Sequence, residues 1–179
     1  LIIRKELILK NDLFFNEQLR KNQDYELFIR AIDYAQYANL PDALLQYRQT
    51  ETNVKRDSYN QQENVLAIQK KLFNKIGFEI SNKQLELYKS IHNQSYLHSK
   101  DFLMEALNLL DGIAQSNNKK QFFEPEKFKA YIADLFENVC RNVKGTGLLP
   151  FQLYLKSDLT KNYFRKIKIL FILLIKNVL

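Results

Sequence analysis

Asn22-Gln23-Asp24-Tyr25-Glu26-Leu27-Phe28-Ile29-Arg30 sets an acidic residue at the mouth of an amphipathic helix. Leu27, Ile29, Ala31, Ile32 and Ala35 include the three- and four-residue spacings of a stripe that faces a core. Asp24 has two roles open to it at that place. As an N-cap its carboxylate would accept orphan amides of the first turn, with Glu26 placed where the helix dipole favours negative charge. As a reactive group, the same carboxylate stands where it can take a proton from a bound hydroxyl.

Outside that stretch, Asn39-Leu40-Pro41-Asp42-Ala43-Leu44-Leu45-Gln46-Tyr47-Arg48-Gln49-Thr50 takes an extended Leu-Pro step into a short apolar run that ends in Tyr-Arg. Before it, Leu1-Ile2-Ile3-Arg4-Lys5-Glu6 leads towards the turn-like Phe14-Phe15-Asn16-Glu17-Gln18-Leu19-Arg20. In this order and at these separations the blocks resemble the end of the catalytic domain in inverting family 2 glycosyltransferases of GT-A type. The likeness covers roughly the first third of the chain.

The resemblance implies that a strand, a short helix and a turn precede the base motif, and that Asp24 is the general base. It places Gln23 and Arg48 on the substrate side, with the Arg48 fork able to pair with a phosphate oxygen or, equally, to form an ordinary surface ion pair. It further implies a nucleotide-sugar donor, a glycan or lipid-linked acceptor, and Mg or Mn on the donor diphosphate with ligands mostly outside this chain. Two positions depart from the family pattern. Gln23 stands where an acidic residue often precedes the base, and Thr50 stands where a histidine follows Tyr-Arg-x.

The sugar-nucleotide half of such an enzyme, with its Asp-x-Asp motif, lies before the base motif. Here only about two dozen residues precede Asp24, and the first is Leu1. The expectation is therefore a C-terminal portion of a longer enzyme, inactive alone. It has the end of the GT-A domain at 1–56 and a helical region at 57–179, and is mainly α with a small β element near the N-terminus.

Composition suits a folded chain. At 179 residues, with 46% hydrophobic and 26% charged residues, one or two units can bury a core. The lone Cys140 excludes an internal disulfide and fits a reducing, cytoplasmic setting. The net charge of +7 is spread along the chain among acidic residues with no nucleic-acid motif, which argues against a nucleic-acid partner.

Beyond Arg56 the signals are helical. Ser58-Tyr59-Asn60-Gln61 and Ser81-Asn82-Lys83-Gln84 have the form of capping boxes. After the first, Val65, Ile68, Leu72 and Ile76 form a stripe that Gly77 should stop; after the second come Leu85, Tyr88 and Ile91. A third helix is predicted over about Ser99 to Gln115, burying Phe102, Leu103, Ala106, Leu107 and Leu110, with Asn117-Asn118-Lys119-Lys120 as a polar break. Pro125 suits the first turn of a fourth, with Phe128, Ile132, Leu135 and Val139 on one face and Gly145-Thr146-Gly147 after it.

Other chemistries find no support. His92 and His98 are six apart and Cys140 has no second soft ligand, so no metal ligands are assigned. Gly145-x-Gly147 lacks the third glycine and the strand of a dinucleotide loop.

The basic run Lys161-Asn162-Tyr163-Phe164-Arg165-Lys166-Ile167-Lys168 abuts seven apolar residues, Ile169 to Ile175. That is too short to span a bilayer, which needs about 20 apolar residues. The segment 161–179 can lie on an anionic membrane surface, on the inner face if the protein is peripheral, or pack into the helical region. The first role is open to a protein that is a non-catalytic basic module docking on membrane or protein. Membrane docking predicts co-sedimentation with anionic vesicles that salt weakens and deletion of 161–179 abolishes; a chain that stays in the supernatant contradicts it.

Overall fold

The computed structural model describes residues 3–19, 22–38, 42, 44 and 59–160, with the side chains of 59–64 and 160 left out. Among the described residues there are seven α-helices, one short 3-10 helix and no strand. They are α1 Lys5–Asn11, α2 Gln23–Ala31, α3 Tyr59–Lys75, α4 Asn82–His92, α5 Lys100–Lys120, α6 Pro125–Asn142 and α7 Leu149–Lys156, then the 3-10 turn Asp158–Thr160. The chain divides into two compact units, 1–72 and 73–179.

In the first unit the expected small β element does not occur among the described residues; α1 begins within the entry at 1–6 and fills the place before the Phe14–Leu19 turn where the resemblance implied a short helix. The reason lies in the spacing of Ile3 and Leu7, four apart, which lets both pack on a core of Leu13, Leu27 and Ala31. Glu6 in the first turn and Lys10 in the last suit the helix dipole. Asp12, in the left-handed region at φ 52°, ends α1 by donating its amide to the Ile8 carbonyl.

The second unit is built on α5 and α6, which pack together. α4 and α7 each lie against both, and the 3-10 turn lies on α6. The facing side chains Leu103, Ala106, Leu110 and Ile113 of α5 and Ile132, Phe136 and Val139 of α6 are almost wholly buried. Each such aliphatic or aromatic side chain contributes about 1.5–3 kcal/mol through removal from water. On α6 the buried stripe falls on Phe136, while Leu135 is only half-buried.

Several predicted boundaries hold. The Ser81 hydroxyl accepts from the Gln84 amide and the Gln84 side chain accepts from the Ser81 amide, closing the capping box of α4. Gly77, at φ +78°, stops α3 as the Phe78 amide donates to the Phe73 carbonyl and the Gly77 amide to Asn74. The proposed capping box at Ser58 lies outside the described residues. Gly112 serves a close approach, because a Cβ there would come within 3.0 Å of the Phe78 ring.

Two elements depart from expectation. α5 runs on to Lys120 through the stretch expected to break it. Asn117 explains the run: it is 1% exposed, its amide donates to the Phe123 carbonyl at 3.0 Å, and its side-chain oxygen accepts the Phe123 amide at 2.9 Å. A polar residue that looks like a stop is thus a buried bracket at the α5–α6 corner. The other is α7, an eight-residue helix with Pro150 in its first turn, over a stretch for which no element was predicted.

Replacing Asn117 by alanine strands two backbone groups in the corner. Each unsatisfied group costs about 1–3 kcal/mol, so Asn117→Ala should lower unfolding stability by about 2–6 kcal/mol in denaturant titration. A change under about 0.5 kcal/mol, the usual size for an uninvolved site, would contradict the bracket.

Candidate functional site around helix α2

Asn22, at φ 61° in the left-handed region, occupies the N-cap position without a side-chain cap bond, and α2 begins at Gln23. Asp24 is therefore one residue inside the helix and does not cap it. Its side chain is exposed, with Oδ1 accepting the Tyr25 amide at 2.8 Å. The positive end of the helix dipole still favours its charge.

The residues around Asp24 are committed to structure. Gln23 donates its side-chain amide to the Leu19 carbonyl at 2.5 Å and to the Asn16 carbonyl at 3.3 Å. Two carbonyl acceptors require the NH2 end of the amide on that side. Asn16 itself closes a turn, its side-chain oxygen accepting the Gln18 amide and its carbonyl the Leu19 amide.

One turn further on, Glu26 is 5% exposed, and Arg30 Nε donates to both its carboxylate oxygens at 2.8 and 2.9 Å. The same guanidinium donates from Nη2 to the Phe14 carbonyl. Gln23 and Arg30 thus hold the two ends of Phe14–Leu19 against α2. Past the helix, the Tyr37 hydroxyl donates to the Phe28 carbonyl at 2.8 Å, and the two rings meet at 5.7 Å. Burial, then the Asp33 charge, raises the Tyr37 hydroxyl pKa, so the phenol keeps the proton it donates.

The Glu26–Arg30 pair was legible as a four-residue acid-to-base spacing, although the sequence assigned Glu26 only to the dipole. The inward use of Gln23 had no local signal. Arg48, Thr50 and the Leu-Pro step lie outside the described residues.

Among the described residues of the second unit no competing centre is found. His92 stacks on Tyr88, whereas His98 Nδ1 accepts the Lys144 amide at 3.3 Å. Cys140 is buried; desolvation, then the Glu137 charge, pushes its thiol far above the ordinary range, which suppresses the nucleophilic thiolate. Among the described residues no group of three or more His, Cys, Asp or Glu could hold a metal ion, and no helix is long and apolar enough to cross a membrane. No known family model, curated protein or solved structure matches the chain.

Proposed function

We propose that this chain is the acceptor-side, C-terminal portion of an inverting, nucleotide-sugar-dependent glycosyltransferase, with Asp24 as its general base. The observation that carries the proposal is the exposed Asp24 carboxylate, one residue inside a helix whose start is tied down by its neighbours. Motif order supplies the reaction class, and the geometry supplies an accessible carboxylate on a fixed support.

In the reaction, an acceptor hydroxyl attacks the anomeric carbon of the donor sugar as Asp24 takes its proton. The new C–O bond forms on one face while the bond to the nucleoside diphosphate breaks on the other, so the electron pair leaves with the phosphate and configuration inverts. An exposed, solvent-accessible carboxylate is within reach of a bound acceptor hydroxyl and can take its proton. Within the proposal Arg48 pairs with a phosphate oxygen, while Gln23, implied by the resemblance as a substrate residue, has its side-chain amide engaged by the Leu19 and Asn16 carbonyls. The Mg or Mn that such enzymes use would neutralise the diphosphate, and no residue of this chain is assigned to it. The acceptor would be a glycan or a lipid-linked sugar.

In the enzyme that contains this chain, Asp24→Asn should reduce turnover by about 10²- to 10⁴-fold while nucleotide-sugar binding survives. Near-normal turnover of that variant would remove Asp24 from the chemistry and favour a non-catalytic module that docks on a membrane or protein.

A further inference from the structure

Gln23 stands where the glycosyltransferase pattern often carries an acid, yet its side-chain amide is spent on two backbone carbonyls, Leu19 at 2.5 Å and Asn16 at 3.3 Å. No capping side chain fixes the start of α2, because Asn22 makes no cap bond and its backbone is left-handed. The first turn is held by the Glu26 amide on the Asn22 carbonyl and by the Gln23 contacts. At the far end of α2, Arg30 is anchored by the buried Glu26 and grips the Phe14 carbonyl, sixteen residues back.

We infer that Gln23 is a positioning residue for Asp24: with Arg30 it clasps the Phe14–Leu19 segment to α2 and so fixes where the adjacent carboxylate is presented. This rests on the proposed role of Asp24 as base. The chemistry favours glutamine over the family's acid here. A carboxylate at this place would bring its lone pairs against two carbonyl lone pairs, whereas the amide NH2 supplies the two donors that those carbonyls need. Misplacing a catalytic group by about 1 Å can cost about 10²-fold in rate, so a clasp one residue from the base bears directly on turnover.

Two variants test the clasp. Gln23→Met keeps the side chain's length and removes the donor. In the 179-residue chain it should speed amide hydrogen exchange at Leu19 and Glu26 at least tenfold, with exchange in α5 and α6 as an internal standard for intact folding. In the enzyme that contains the chain it should lower kcat at least tenfold, with donor KM within twofold of the parent. Gln23→Glu can donate to one of the two carbonyls, and only when its carboxyl is protonated. Its kcat relative to the parent should therefore rise as pH falls from about 8 to about 5, a trend that loss of folding would not produce. Unchanged exchange in Gln23→Met, or unchanged kcat with faster exchange, would overturn the positioning role, as would a flat pH ratio for Gln23→Glu. Failure of the base role itself would show separately, as an active Asp24→Asn enzyme.

Discussion

Asn117 is the constraint on which the larger unit depends. Its side chain reproduces, over six residues of chain, the paired donor and acceptor contacts that one backbone segment offers another. Because it is buried and fully engaged on both polar atoms, α5 can continue through a polar stretch and still turn sharply into Pro125. The apolar faces of α5 and α6 then meet along their length. α4, α7 and the 3-10 turn have a surface to pack on because that pair exists.

The smaller unit solves a similar problem with charge. A buried glutamate is costly unless paired, and Glu26 is paired by an arginine whose Nη2 also donates to the Phe14 carbonyl. Removing Arg30 would leave the buried Glu26 carboxylate unsatisfied, so the pair fixes geometry beyond any net contribution to stability. With Gln23 at the other end, the loop before α2 is gripped twice, and the exposed Asp24 rides on the gripped turn. A base held on a supported helix needs less reorganisation at the moment of proton transfer than one on a free loop.

What could be read from the amino-acid sequence was what depends on near neighbours. Ser81 and Gln84 close a box over three residues, Gly77 accepts a left-handed backbone, and Pro125 opens a helix; each works locally and each is where it was expected. Asn117 was misjudged because its partner belongs to the corner beyond the helix, so a polar run looked like a break. The β element expected near the N-terminus was misjudged, because a short apolar run reads equally as strand or helix, and Ile3 and Leu7 pack on Leu13, Leu27 and Ala31 beside a helix that starts at Lys5. Asp24 was found at the start of its helix, but two residues past the cap position at Asn22. The clasp that supports it was half visible, in the Glu26–Arg30 spacing, and half hidden, in the reach of Gln23 to residues four and seven back.

The claim that this chain is the acceptor side of a glycosyltransferase is tested most directly by sequencing the coding region upstream of Leu1. The proposal predicts an open reading frame that continues through alternating strand and helix patterns and carries an Asp-x-Asp motif, the donor half that Asp24 would serve. An upstream frame without those patterns and that motif would contradict it.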